Sequence, residues 1–312
     1  MSTPTGPASG LPVRMPRPRQ SGRHRRPEPV VAPEGAPALV LAVPGAPGPA
    51  VRSLAEEVIS IARSELPGLH ARIGYLDSTD ADTAEYPTLD AVLAHTAAER
   101  AARVERARAA GREAAEAAPS GGPDAVVVPL LAGPDSALIR RIRQAVMDSR
   151  AAAELTDVLG PHPLLAEALH VRLSEAGLAR ADRARLFTVA TAADGIILAT
   201  VGGEEAVQAA GITGMLLAAR LAVPVMAAAL DQEGAIAAMA DQLRGSGSVQ
   251  LAVAPYLIGP EVADGLLDAA AKEADCSAAE ALGAYPAIGK LALSQYAAAL
   301  GITPQAQGSP VH

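Results

Sequence analysis

The stretch Val128-Pro-Leu-Leu-Ala-Gly-Pro-Asp135 occurs twice in the chain, the second time with altered side chains as Ala254-Pro-Tyr-Leu-Ile-Gly-Pro-Glu261. A second pair follows each copy: Leu159-Gly-Pro-His-Pro163 and Leu282-Gly-Ala-Tyr-Pro286 both stand directly before a segment of helical period. Solenoid repeats are about 20–50 residues long, so a period above about 100 residues indicates duplicated domains. The chain is therefore predicted to be a tandem duplication of one domain.

Short apolar runs alternate with longer stretches of helical period along both copies. The short runs are nearly continuous in apolar residues, as strands buried on both faces are; they are Ala38–Val43, Ala71–Leu76, Ala125–Leu131, Gly195–Thr200, Val223–Leu230 and Val249–Leu257. Alternation of strand and helix indicates right-handed βαβ units. The predicted fold class is α/β, with a mainly parallel sheet flanked by helices in each domain.

The predicted domain limits follow from composition and from the spacing of the repeated motifs. Residues 1–37 are rich in Pro and Arg and poor in large apolar residues, so we expect a disordered basic tail. The first domain is predicted over 38–180 and the second over 188–302, with a flexible tail at 303–312. The first copy is longer, and a helical insertion at about 95–118 accounts for the difference; it is interpreted as a solvated extension or, alternatively, as a partner-binding helix.

Composition excludes several classes of protein. The 312 residues carry a net charge of −8, with 2% aromatic residues and a single cysteine, Cys276. One cysteine cannot form an intramolecular disulfide, and an acidic, aromatic-poor chain is not typical of nucleic-acid binding. The longest apolar run is interrupted by Arg220 and Pro224 and does not indicate a membrane span. No export signal is evident, so a cytoplasmic location is expected.

Candidate functional residues are those that follow the predicted strands, because open α/β sheets bind ligands outside the carboxyl ends of their strands. In this sequence they are residues 43–49, 77–82 and 133–136, with counterparts at 201–204, 231–233 and 259–261. Asp77 is the carboxylate that directly follows the second predicted strand. A carboxylate in such a loop also serves as a turn or cap residue, so this structural role for Asp77 stays open.

The order of these motifs resembles the sirohydrochlorin chelatases, the class II cobalto- and ferrochelatases of cobalamin and sirohaem synthesis. The resemblance runs from about Ala38 to Leu300, in the two-copy form of the family. It implies a lyase that inserts a divalent metal (Co, Fe or Ni) into a tetrapyrrole held in the cleft between the domains.

The resemblance also assigns site residues, and the sequence departs from it at both histidines of the family. Pro44 and Ala137 stand at the histidine positions, which leaves Asp77 as the metal residue and Gly45 and Ser136 as the cofactor-binding positions. Neither Pro nor Ala can ligate a metal or remove a pyrrole proton. Three functions therefore stay open: a chelatase, a catalytically inactive relative (a pseudoenzyme) that binds a ligand or a protein partner, and an unrelated duplicated protein that binds a small molecule.

Overall fold

Each repeat forms a four-stranded parallel sheet in the computed structural model, which describes residues 31–33, 35–79, 84–110, 122–179, 193–263 and 265–301. The first sheet has the order β2-β1-β3-β4 and the second the order β6-β5-β7-β8. The strands are β1 (Ala38–Val43), β2 (Ala71–Tyr75), β3 (Ala125–Pro129), β4 (Ala153–Leu155), β5 (Gly195–Thr200), β6 (Val225–Ala229), β7 (Leu251–Pro255) and β8 (Ser277–Ala278). The prediction of two α/β repeats with parallel sheets is confirmed.

Helices connect successive strands and cover the sheets. They are α1 (Pro49–Glu65), α2 (Leu89–Ala109), α3 (Ser136–Ser149), α4 (Pro163–Glu175), α5 (Gly203–Leu221), α6 (Ala235–Gly245), α7 (Leu266–Glu273) and α8 (Pro286–Ala299). The edge strands β4 and β8 are three and two residues long. They escaped prediction because such short segments carry no readable periodicity.

The last helix of each repeat lies on the sheet of the other repeat. Helix α8 packs against α1 and β3, and helix α4 packs against α5 and β7. The approach of α8 to α1 is close, since a Cβ added at Gly289 would lie 2.6 Å from Cβ of Ile61. Each sheet is thus covered on its inner face by one helix of its own repeat and by one helix of the other.

This exchange gives the protein one central core shared by both repeats. The central core joins residues of both inner sheet faces, among them Leu39, Val126, Ile196 and Ala254. Two smaller cores lie on the outer faces, one beneath α2 and α3 and the other beneath α6 and α7. Because burial of apolar surface is the main stabilising contribution, the two repeats stabilise each other.

Tyr256, just after β7, is a large side chain of the second repeat that reaches into the first. It is fully buried, and its ring lies against Gly133, where a Cβ would be 3.1 Å from the ring edge. Its hydroxyl lies beside Gly160 and 3.3 Å from Oγ1 of Thr213. Burial raises the pKa of Tyr256 to about 12. The glycines at 133 and 160 therefore create the space that this ring occupies.

Several predicted features lie wholly or partly outside the described residues. These are most of the tail 1–37, the end of the insertion beyond residue 110, the junction near 180–188, the acidic pair Asp80 and Asp82, and the tail 303–312. The predicted domain limits stay predictions. At the end of the first tail, the carbonyl of Pro37 accepts a hydrogen bond from the buried hydroxyl of Tyr296 at 2.7 Å.

Replacement of Tyr256 tests the contact between the repeats. Tyr256→Phe removes only the hydrogen bond to Thr213 and should lower the free energy of unfolding by about 1 kcal/mol. Tyr256→Ala leaves a cavity in the shared core and should lower it by about 3–5 kcal/mol. Urea unfolding followed by circular dichroism measures both values. Equal, small losses for the two variants would show that the ring does not hold the repeats together.

Candidate functional site

Asp77 lies at the carboxyl edge of the first sheet and is held there by two partners. One carboxylate oxygen accepts the backbone N–H of Gly45 at 2.9 Å. The other pairs with Nη2 of Arg141 at 2.5 Å, and the same nitrogen donates to the carbonyl of Leu76. Asp77 therefore joins the loop after β1, the end of β2 and helix α3. The turn role considered for Asp77 fits these contacts.

The second repeat contains the same aspartate–glycine contact. Asp231, after β6, accepts the backbone N–H of Gly202 at 3.1 Å, and Gly202 follows β5 as Gly45 follows β1. The same aspartate–glycine hydrogen bond occurs at both sheet edges because the loop after the first strand of each sheet makes a sharp turn, which the aspartate holds in place. It does not require a role in chemistry at either aspartate.

The turns at Gly45 and Gly202 meet the opposite repeat through backbone atoms. Gly45 has φ +81°, and a Cβ there would collide with the carbonyl oxygen of Pro260. Gly202 has φ +110°, and a Cβ there would lie 2.5 Å from the carbonyl oxygen of Pro134. Each repeat thus presses a glycine turn against the Gly-Pro turn of the other. At the carboxyl edges of the two sheets, the loops of one repeat therefore contact the loops of the other.

The other residues predicted for the site take structural positions. Pro44 is buried, whereas Ser136 and Ala137 are exposed in the first turn of α3. Asp135 caps that helix by accepting the N–H groups of Ala137 and Leu138, both at 2.9 Å. Gly45 is accounted for by its contact with Pro260. The structure therefore brings Gly45 and Asp77 together, and it places Ser136 and Ala137 at a neighbouring helix terminus. Their predicted roles in binding a metal or cofactor stay predictions.

Glu261 is a further carboxylate at the boundary of the repeats. It occupies the position of Asp135 in the second copy of the motif, but it accepts the N–H groups of Ile258 and Gly259 at 2.8 and 2.6 Å. Burial raises the pKa of the Glu261 carboxyl, and these backbone N–H groups oppose that shift. Glu261 thus closes its own turn instead of capping the next helix.

Two histidines take part in local or inter-repeat hydrogen bonds. His162 caps α4, with Nδ1 accepting the N–H of Leu164 at 3.1 Å, and burial lowers its pKa. His170 is buried on α4, and its Nδ1 accepts Nε–H of Arg220 on α5 at 2.8 Å. Among the described residues, no group of three or more His, Cys, Asp or Glu side chains is arranged to hold a metal ion.

An apolar row on α5 is the largest feature that the sequence reasoning missed. Ile212, Met215 and Leu216 are 48%, 67% and 40% exposed, and Ala219 continues the row. Their spacing places all four on one side of the helix. We call these four residues the α5 apolar face. Single apolar residues are normal on protein surfaces, whereas large contiguous apolar patches mark interaction sites.

Helix α1 provides the comparison for the α5 apolar face, because it occupies the same place in the first repeat. The buried residues of the two helices have the same spacing: Ala55, Val58, Ile59 and Ala62 in α1, and Ala210, Thr213, Gly214 and Leu217 in α5. With the helices matched in this way, exposed Glu57, Ser60 and Ser64 stand where α5 has Ile212, Met215 and Ala219. At these three positions the helix is polar in the first repeat and apolar in the second, whereas the fourth residue of the face, Leu216, matches the apolar Ile61. Matching the two repeats residue by residue would have revealed this difference from the sequence.

In the part of the chain that the structure describes, no helix combines the length and the apolarity that crossing a membrane requires.

Comparison with known proteins gives no family assignment. No family model matches the chain, and no curated protein matches it. Among solved structures, one match is a putative Asp/Glu racemase from Yersinia pestis, with 14% identity over 84% of this chain and 99% of that chain and a TM-score of 0.23.

The predicted membership of the sirohydrochlorin chelatase family is wrong by these comparisons. Neither a family model nor a curated protein of that family is matched, and the solved structure is that of a putative racemase. The activity that this family implied, metal insertion into a tetrapyrrole in cobalamin or sirohaem synthesis, is therefore not supported either. The physical reason for the error is that the shared motifs are strand ends, Gly-Pro turns and a helix-capping corner. These features stabilise a duplicated α/β fold whatever its chemistry, and the histidines that would have carried the chemistry are absent at Pro44 and Ala137.

Replacement of Gly45 tests the contact of its turn with Pro260. Gly45→Ala adds left-handed strain of about 1–2 kcal/mol and a collision with a backbone carbonyl, so we expect a loss of at least about 3 kcal/mol in unfolding free energy. Gly234→Ala is the matched control, because Gly234 has φ +75° and no atom of the described residues lies within 4 Å of a Cβ there. It should lose only about 1–2 kcal/mol. Equal losses in the two variants would contradict a tight contact at Gly45.

The cap at His162 predicts a pH dependence of stability. Because its folded pKa lies below the unfolded value, the unfolded chain takes up the proton first, and stability is lost as pH falls below about 6.5. His162→Asn keeps a capping oxygen but does not titrate. Urea midpoints at about pH 7.5 and about pH 5 should therefore decline less in His162→Asn than in the wild type. An unchanged decline would assign the effect to other groups.

Proposed function

We propose that this protein is a non-catalytic binding protein that docks a protein partner on the α5 apolar face. The observation that carries the proposal is the difference between the two repeats: the same helix surface bears Glu57, Ser60 and Ser64 in α1 but Ile212, Met215 and Ala219 in α5. Apolar residues in a solvent-facing row lower solubility and contribute nothing to the core. A partner that covers them accounts for their presence.

The character of the face supports a protein as the partner. Methionine adapts its shape to an opposing surface, and methionine is enriched at the centres of protein interfaces. The row is flanked at the start of α5 by exposed Glu204 and Glu205 and at its end by exposed Arg220. An apolar centre with a charged rim is the usual anatomy of a protein interface. The acidic net charge of −8 argues against a nucleic acid in this role.

The carboxyl edges of the sheets support a binding role over an enzymatic one. Asp77 is paired with Arg141 and Gly45, Asp231 with Gly202, and Asp135 with the first turn of α3. Each of these carboxylates serves a turn, a helix or an ion pair. A small molecule bound at this edge stays a prediction, as does the cytoplasmic location expected from the sequence.

Substitutions on the α5 apolar face test the proposal. Met215→Glu places a charge in the centre of the face and should weaken binding of a purified partner at least about tenfold. Ser60→Glu makes the same change at the matching position of α1 and should leave binding unchanged. Partners are recovered with the full chain from the source cells, purified, and measured by calorimetry against wild type and both variants. Equal affinity for Met215→Glu and wild type would overturn the proposal.

A further inference from the structure

The side of helix α2 that faces the first sheet changes from apolar to charged along its length. In its first half this side is buried and consists of Leu89, Val92, Leu93 and Thr96. The next residues at the same helical spacing are Glu99, Arg100 and Arg103. A helix side that packs on a core is normally apolar. These three charged residues therefore do not serve the core, and their place in the fold requires another explanation.

A small pocket lies between this charged stretch and the amino edge of the first sheet. On the α2 side it is lined by Thr96, Glu99, Arg100 and Arg103, and on the sheet side by His70 and Asp124, which directly precede β2 and β3. We call it the amino-edge pocket. Five of these six side chains are ionisable, so their charges determine what the pocket can hold.

The charges around the amino-edge pocket leave one arginine uncompensated. Glu99 pairs with Arg72 at 2.6 Å, and Asp124 pairs with Arg100 at 3.5 Å. Arg103 is half-buried, and it forms no ion pair with any residue that the structure describes. Two carboxylates therefore stand against three guanidinium groups, which leaves one positive charge.

The titration of His70 reflects the same excess of positive charge. Partial burial lowers the pKa of its imidazole, and the charge of Arg72 lowers it further. Arg103 and Arg63 act in the same direction, and Glu99 opposes them. Nearby cations disfavour a protonated imidazole and favour an anion. A neutral imidazole can still donate one N–H to such an anion.

The described residues of the second repeat form no counterpart of the amino-edge pocket. Helix α6 is 11 residues long, whereas its counterpart α2 has 21, and α6 ends at Gly245 before it could pass the sheet edge. The residue before β6 is Pro224, where the first repeat has His70. The residue before β7 is Gln250, where the first repeat has Asp124. The fold forms without these charged groups, so folding does not explain them.

We propose that the amino-edge pocket binds a small oxyanion, a phosphate or carboxylate group, on the guanidinium of Arg103 and the imidazole of His70. The planar guanidinium donates to two oxygens of such a group at once, and its charge strengthens both hydrogen bonds. The oxyanion neutralises the charge that Glu99 and Asp124 leave uncompensated. This site is separate from the α5 apolar face and does not depend on the function proposed for it.

Isothermal titration calorimetry of the full chain tests the proposal. Inorganic phosphate and sodium acetate serve as separate probes, each at constant ionic strength, so that general screening does not change during the titration. At least one probe should bind saturably at one site per chain. Tighter binding of phosphate assigns the site to a phosphate group, and tighter binding of acetate assigns it to a carboxylate. Saturable binding of neither probe would overturn the proposal.

Substitutions locate the bound probe. Arg103→Gln removes the charge without breaking a described ion pair and should weaken binding at least about tenfold. His70→Leu removes one N–H donor and should weaken it about threefold. Arg140→Gln makes the same change of charge on the exposed side of α3 and should leave the affinity unchanged. Circular dichroism of each variant shows that the fold is kept.

The variants also separate this proposal from its alternatives. Equal affinity of Arg103→Gln and wild type would place the probe elsewhere and overturn the amino-edge pocket as the site. Equal weakening by Arg103→Gln and Arg140→Gln would show general attraction to surface charge and overturn it as well. Met215→Glu should bind the probe as the wild type does. A failure of the pocket is therefore distinct from a failure of the α5 apolar face.

Discussion

Two glycine turns, each set against a proline carbonyl of the other repeat, hold this protein together at its centre. Gly45 and Gly202 follow the first strand of each sheet and adopt positive φ values, which let the backbone turn without a side chain in the way. The carbonyls of Pro260 and Pro134 occupy the space that a Cβ would need. Asp77 and Asp231 fix the same turns from the side by accepting the glycine N–H groups. These contacts join the two sheets at their carboxyl edges.

The exchange of helices is a second connection between the repeats. Helix α8 covers the first sheet beside α1, and α4 covers the second beside α5. The shared core, with Tyr256 inserted against Gly133, is the consequence. Duplication has therefore produced two halves that depend on each other for burial of their inner faces. The helices on the outer sheet faces, α2 and α3 in the first repeat and α6 and α7 in the second, each pack within one repeat.

The two repeats keep the same architecture but have different surfaces. Gly-Pro turns, aspartate–glycine contacts and the spacing of buried helix residues recur, since each is needed to form the sheet edges and the core. By contrast, α1 and α5 present polar and apolar residues outward at matching positions. Glu261 and Asp135 likewise occupy matching positions and make different hydrogen bonds. The features that the two repeats share are those needed to form the fold. Residues at which the repeats differ are therefore the better candidates for a functional role.

The sequence by itself determined the duplication, the α/β class and the bounds of the six long strands to within a few residues. Hydrophobic periodicity and turn residues are local signals, so they can be read without knowledge of distant contacts. The sequence also suggested a family from motifs whose role is structural, and that suggestion was wrong. Only the tertiary structure decided that Asp77 pairs with Arg141, that α4 and α8 exchange sheets, and that Ile212 and Met215 face solvent. The physical reason is that pairing, exchange and exposure depend on residues far apart in the chain, and the same apolar residue on a helix is core or surface according to what folds against it.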